Sequence, residues 1–340
     1  MNIYFFQWVS RLGGADTRLR DLIQCFSSRP DFKLFSIPNT NKHFQDQKAM
    51  EFYSKYNVTT LKWEELPEKL DGVGISFCNF NLFETDKIKR IKNMGLKFIW
   101  SNDMMWKRPE EQNAVQEGLI DALIYTSTQH LADTRYKDIF TPEYIVPNYL
   151  HLENYPYIER TRSDLFTIGK HSRPDPKKFS DNFPLFYQNL GLRNPKYRVM
   201  GVYEGFKSVR FKWYDFDEKW DLLPAVKEPV VKYLSSLDCY VYNSHISFTE
   251  TQCRATLEAM LTGLPVVAPN KFNFRQQIRH EDTGFICESY QDFQKYTQFL
   301  EKNRKECEEI GIKARHLTQE TWCNTQEQIE AWEKIFNDIV

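Results

Sequence analysis

Short apolar runs recur along the chain, and stretches with helical spacing separate most of them. Residues 3–9, 33–37, 73–77, 96–100, 122–126 and 144–146 are strand-like, rich in Ile, Val, Phe and Tyr. Leu19, Leu22, Ile23 and Phe26 form a helical stripe after the first run, and residues 44–55, 84–94, 110–119 and 128–137 carry further helical patterns. Strands alternating with helices predict an α/β chain with a parallel sheet, where ligands collect at the carboxyl ends of strands. The alternation lapses over 150–164, a polar and aromatic segment that reads as a connection between domains. It resumes with strand patterns at 165–168, 198–202 and 239–242, a helix at 230–237 and an amphipathic helix at 322–336. The expected organisation is an amino-terminal domain over 1–150, a carboxyl-terminal domain over 165–318 and a closing helix over 319–340.

The most informative stretch is 249–269, T-E-T-Q-C-R-A-T-L-E-A-M-L-T-G-L-P-V-V-A-P. Thr256, Leu257, Ala259, Met260 and Leu261 give a helix of about three turns, Gly263 a left-handed stop, and 264–268 a buried strand. Glu250 and Glu258 bracket the helix with seven residues between them. If those residues are helical, the carboxylates lie about 12 Å apart along the axis. The helix N-terminus between them suits a phosphate. On spacing alone, two readings stand: a site for a ligand with hydroxyls at both ends and a diphosphate between, or a helix cap at Glu250 with a solvated Glu258.

Composition narrows the classes. The chain has 340 residues, 41% hydrophobic and 27% charged, which suits two ordinary globular domains. A formal charge of −1 excludes a global field for polyanions. Seven scattered cysteines without a C-x-x-C predict reduced thiols rather than a disulfide framework or zinc site, and no metal site is expected. No run reaches transmembrane length, and the first residues lack the basic start of a signal peptide, so a cytoplasmic location is expected.

E-x7-E-A-M followed by T-G-L-P-V-V-A resembles the donor site of the family-4 retaining glycosyltransferases. That resemblance implies the GT-B fold, two Rossmann-like domains facing across a cleft. It assigns donor-sugar hydroxyls to Glu250 and the nucleotide ribose to Glu258, with Thr251, Gln252 and Cys253 in the donor-binding segment between. Cys253 stands where the family has glycine. S-R-P-D-P-K-K at 172–178 resembles a loop of sucrose synthase and sucrose-phosphate synthase, members of the same broad family. There an Arg and a Lys with four residues between them bind the diphosphate, which selects Arg173 and Lys178 ahead of Lys170 and Lys177. Gly13 and Gly14, after the first strand, resemble the glycine loop of the amino-terminal domain that lies across the cleft from the diphosphate. Asn102 and Asp103 fall where relatives place a histidine before an aspartate. They contact the donor sugar, or Asp103 caps the segment that follows. Thr283-Gly284-Phe285 follows the family wording, whereas 270–278 replaces its glycine-rich donor loop, and the resemblance implies that the closing helix over 319–340 crosses back to the amino-terminal domain.

The implied activity is transfer of a sugar from a nucleoside-diphosphate sugar to an acceptor hydroxyl with retention. Arg173, Lys178 and Glu250 would be catalytic, a UDP-sugar the donor, and no further cofactor would be required. A saccharide or glycoconjugate is the expected acceptor. One alternative is a phage-type DNA glycosyltransferase acting on hydroxymethylated cytosine, and another is an inactive nucleotide-sugar-binding protein. DNA would need cations such as Lys87, Lys89, Arg90 and Lys92, or Lys207, Arg210 and Lys212 among their aromatic neighbours. The plainer readings of these two clusters are a solvated helix face and an inward-packed aromatic segment.

Overall fold

A computed structural model describes residues 1–10, 13–137, 139–160 and 163–340. Arg11 and Leu12, next to the predicted glycine turn, and Thr161 and Arg162 of the predicted connection lie outside the described residues. The chain forms two compact units, Met1–His151 with Asn324–Val340, and Leu152–Cys323.

In the first unit, parallel strands β1 (Asn2–Phe5), β2 (Lys33–Ser36), β3 (Val58–Thr60), β4 (Val73–Phe77), β5 (Lys97–Ser101), β6 (Ala122–Tyr125) and β7 (Glu143–Ile145) form one sheet in the order β3-β2-β1-β4-β5-β6-β7. Helices cover both faces, so central strands are apolar on both sides. Along β5, Ile99 enters one core while Phe98 and Trp100 enter the other. The first strand ends at Phe5 rather than 9. Phe6, Trp8 and Val9 are apolar because the turn they form is buried, not because it is extended. The helix expected over 84–94 divides into Asn81–Glu84 and Lys87–Asn93, because Thr85 between them is extended.

The closing region differs from expectation as well. Helix Arg304–Trp322 runs through residue 319, and the chain breaks only at Cys323 and Asn324. The Asn324 side chain accepts from the backbone N–H groups of Gln326 and Glu327, at 3.1 and 3.2 Å, and so caps helix Thr325–Ile339. Ile329, Trp332, Ile335 and Phe336 on its inner face join the core of the first unit, with Phe26 and Phe77.

The second unit holds β8 (Phe166–His171), β9 (Pro195–Met200), β10 (Trp220–Leu223), β11 (Cys239–Val241), β12 (Val266–Pro269) and β13 (Gly284–Cys287). All pair in parallel, in the order β10-β9-β8-β11-β12-β13. Phe206, Phe211 and Trp220 of the aromatic segment belong to its core and Phe216 packs against it, so their spacing serves packing. Trp213 alone of that segment's large aromatics is exposed. Gly169 in β8 cannot carry a side chain, since a Cβ would lie 1.8 Å from the Arg198 carbonyl oxygen of β9. In each sheet the order turns back beside one strand, at β1/β4 and at β8/β11. Connections leave in opposite directions there and open a crevice at the carboxyl ends.

All seven cysteines are free thiols. Among the described residues no helix is long and apolar enough to cross a membrane, and no group of three His, Cys, Asp or Glu is placed to hold a metal ion.

Candidate functional site

The crevice of the second unit opens where β8 and β11 end side by side. β8 delivers Lys170 and His171, then the loop with Arg173 and a single 3-10 turn, Pro176–Lys178. The Asp175 carboxylate accepts from Lys177 N–H at 2.9 Å and fixes that turn. β11 delivers Tyr242 and the loop ending at Glu250. Lys178 Nζ donates to Glu250 Oε1 at 2.5 Å, and the Tyr242 hydroxyl donates to the same oxygen at 2.8 Å. The Lys178 ammonium also lies 4.2 Å from the Phe248 ring centroid. Two loops far apart in sequence thus present one cation and one carboxylate as a joined pair.

Helix Arg254–Leu261 follows, about two turns long rather than three. Only the second half of the Glu250–Glu258 spacing is helical, so the 12 Å separation, which assumed a helix throughout, does not apply. Neither is Glu250 the cap. Cys253 holds that position and makes no side-chain cap bond. Glu258 is not a solvated residue either, being 7% exposed. Its Oε1 accepts from Tyr155 OH and Arg254 Nε, both at 2.9 Å, and Oε2 pairs with His171 Nε2 at 2.9 Å. Burial alone would raise this carboxyl. The His171 bond, the Arg254 charge and the Tyr155 hydroxyl outweigh it and hold the group at about 2. The carboxylate is charged, and it has acceptor capacity beyond those three donors.

Thr251, Gln252 and Cys253 are all buried beside this helix start. Cys253 has φ −74° and ψ 95°, a backbone that any residue adopts, so glycine is not needed for conformation. Burial, with Glu250 nearby, pushes its thiol up to about 12 and keeps it protonated. Arg173 is exposed, and among the described residues its side chain makes no hydrogen bond or ion pair. It is a free guanidinium at the mouth of the crevice.

The first unit holds the other predicted residues. Gly13 has φ +119° and precedes helix Gly14–Phe26, and a Cβ on Gly14 would meet nothing within 4 Å. The Asp16 carboxylate in the first helical turn accepts from Ser10 Oγ at 2.5 Å and Gln7 Nε2 at 3.0 Å. Asp103 is not a cap: it pairs with buried Arg18 at 2.5 Å, and the next helix, Pro109–Gln116, starts after Arg108. Asn102 is buried, donating to Trp106 O at 2.8 Å and to Glu111 Oε2 at 3.1 Å while accepting from Met104 N–H at 3.0 Å. Its amide is held on both sides. Fully buried Glu111 also accepts from Trp100 Nε1 and the Tyr136 hydroxyl, which makes it the fastening point of this loop.

Sequence comparison adds a partial match. Residues 192–317 match the family model described as glycosyl transferases group 1, a span that includes Glu250 and Glu258 but begins after Arg173 and Lys178. No curated protein matches the chain in sequence. Structural likeness is broader. HepE of Anabaena, in complex with UDP and glucose, superposes with a TM-score of 0.72 at 14% identity, over 98% of this chain and 99% of that one. Sucrose-phosphate synthase of Thermosynechococcus elongatus gives 0.72 at 11% identity, over 99% and 100%. A glycosyltransferase of Rickettsia africae gives 0.75 at 12%, over 99% and 98%. The fold is GT-B.

Within this GT-B chain, the predicted residues fall into two sets. Arg173, Lys178, Glu250, Thr251, Gln252, Cys253 and Glu258 share the second unit, around the ends of β8 and β11 and the start of helix Arg254–Leu261. Gly13, Gly14, Asn102 and Asp103 belong to the first. Sequence reasoning missed the groups that hold the carboxylates. Tyr155 sits in the connection, His171 adjoins the basic loop, and Tyr242 directly follows β11 and reads as an ordinary core residue. His171, next to a glycine-lysine pair at a strand end, offered a weak signal, and Tyr155 offered none.

Proposed function

We propose that this protein transfers a glycosyl group from a nucleoside-diphosphate sugar, a UDP-sugar by preference, to an acceptor hydroxyl with retention at the anomeric carbon. The observation that carries this reading is the Lys178–Glu250 pair and the charged Glu258 at one crevice. The group 1 match and the UDP and glucose bound by HepE support it. Glu258 would accept from the ribose, Glu250 from the donor sugar, and Lys178 with Arg173 would face the diphosphate. In the reaction the bond from the sugar carbon to the diphosphate oxygen breaks and its electron pair passes to the diphosphate. The acceptor oxygen bonds to that carbon, and the acceptor proton leaves with the diphosphate as the base at hand. Cations fixed beside the leaving oxygen stabilise the charge that develops there. Lys178 is pre-positioned by its bond to Glu250, so little reorganisation of that cation accompanies the step.

A saccharide or glycoconjugate is the acceptor this reading favours over DNA. Three of the four cations on the basic helix Lys87–Asn93 are bonded within the chain, and only Lys89 among them is exposed without a side-chain bond to the described residues. Lys87 bonds Asn39 O and Asn81 Oδ1, Arg90 bonds Trp63 O, and Lys92 pairs with Asp121. Arg210 likewise pairs with Asp181.

Nucleotide release from a panel of nucleotide-sugars, with oligosaccharides and hydroxymethylated duplex DNA as parallel acceptors across a salt series, tests the proposal. Release of UDP with sugar transferred to a saccharide, insensitive to salt, is expected. Salt-sensitive incorporation into DNA would move the acceptor to nucleic acid. Donor binding without turnover on any acceptor would leave a nucleotide-sugar-binding protein.

A further inference from the structure

Lys170, one residue before the end of β8, is 1% exposed. Its Nζ donates to the carbonyl oxygen of Lys178 at 2.5 Å and to that of Asn243. It lies 4.9 Å from the ring centroids of both Phe179 and Tyr242. Among the described residues no carboxylate bonds it, although a buried ammonium is ordinarily paired with one. Two carbonyl dipoles and two aromatic faces stand in for the counter-ion.

The groups facing Lys170 come from three elements. Lys178 belongs to the 3-10 turn, Glu250 and Cys253 lead into helix Arg254–Leu261, and Tyr242, whose hydroxyl bonds Glu250, follows β11. Lys178 and Glu250 neutralise each other as an ion pair. The proton on Lys170 therefore decides whether this cluster is neutral or carries one positive charge. Burial, then the nearby Lys178 charge, lowers Lys170 to about 7; the Cys253 thiol is protonated there, so the Glu250 carboxylate is the charge that pulls the other way. An anion placed beside Lys178 supplies the missing counter-charge and favours the ammonium. By linkage, the ammonium strengthens the binding of that anion by the same factor.

We propose that Lys170 is a positioning residue of this site: it ties the backbone of Lys178 to the segment leading to Glu250, and it takes up a proton when a nucleoside diphosphate binds beside Lys178. The proposal rests on the donor-site reading above and extends it. Lys170 does not touch the ligand; it acts through Lys178.

The test is calorimetric titration of UDP into the intact wild type, Lys170→Met and Lys170→Arg, in two buffers of different ionisation enthalpy between pH 7.5 and 8.5. The UDP phosphate, with its second ionisation near about 6, is already fully charged in that window. Wild type should take up a fraction of a proton on binding, and its affinity should fall roughly three- to ten-fold over the pH unit. Lys170→Met should bind UDP more weakly at pH 7.5, with no slope and no uptake. Lys170→Arg, permanently charged, should keep the affinity and lose the slope, a separation that a merely structural role would not produce. UDP binding to wild type with a flat profile and no uptake overturns the role of Lys170 while leaving the donor site intact. The same uptake in Lys170→Met also overturns it. If Lys170→Met fails to fold, the wild-type slope and the Lys170→Arg profile decide between the same outcomes. No UDP binding to wild type at any pH overturns the donor-site reading and this proposal with it.

Discussion

Arg173 and Lys178 differ in what they touch, and their substitutions should separate accordingly. The Arg173 side chain makes no hydrogen bond or ion pair among the described residues, so Arg173→Ala should lower turnover by about 100-fold or more while leaving the melting temperature unchanged. Lys178→Ala removes the partner of Glu250, and should lower both turnover and stability. Steady-state nucleotide release and thermal melts on the same preparations check the pair; equal stability loss in both variants would contradict the contrast. Glu258 makes a pH prediction. Its folded value of about 2 lies below the ordinary 4.5, so it contributes stability fully present above pH 4.5 and lost as pH falls towards 2. That contribution is roughly 3 kcal/mol. Urea unfolding from pH 5 to 2.5 should therefore show a steeper loss in wild type than in Glu258→Gln. Parallel curves would mean that the carboxylate is not held as described. The words around the two glutamates singled them out as site candidates; their spacing alone left two readings standing. The donors that hold Glu258 were not legible, because Tyr155 lies 103 residues away and His171 lies 87 away, and no local pattern records such pairings.

The helix that carries Glu258, Arg254–Leu261, depends on its two ends. At the far end Gly263 has φ +78°, and a Cβ there would sit 2.9 Å from the Tyr157 ring. Gly263→Ala should cost about 1–3 kcal/mol, measurable as a shift in denaturation midpoint without a change in slope. At the near end the reverse holds. Cys253 needs no glycine conformation, so Cys253→Gly should restore nothing and should cost stability through lost burial and a looser unfolded chain. A gain in turnover from Cys253→Gly would show that closer backbone approach to the ligand matters more than helix support. Elements of this kind, buried parallel strands and helices ended by glycine, are readable because burial on both faces forces an apolar run and a left-handed stop demands one residue type. Strands β3 and β10 escaped notice for the converse reason. Three residues of V-T-T are too few to show a period, and W-D-L-L lies in a segment whose aromatics drew attention to its surface chemistry.

At the scale of the whole molecule, the last helix gives the chain its most exacting test. Thr325–Ile339 follows the second unit in sequence and yet buries Trp332 completely in the first, against Phe26 and Phe77. The 3.6-residue pattern showed that one face is apolar; it carried no information on which core receives it. Because that core also holds Ile3, Phe5, Val73 and Ile75 of β1 and β4, the helix supports the strands around which the first sheet reverses its order. Trp332→Ala should therefore cost about 3–5 kcal/mol, the range for truncating a fully buried aromatic. The loss should be local. Hydrogen exchange should show lowered protection in β1, β4 and helix Gly14–Phe26, with protection in β8, β11 and β12 retained. UDP affinity, which this reading assigns to the second unit, should change less than two-fold, whereas transfer to an acceptor should fall with the stability of the first. Equal deprotection of both sheets would mean that the two units unfold as one, and the assignment of donor binding to the second alone would then have no independent support from this variant.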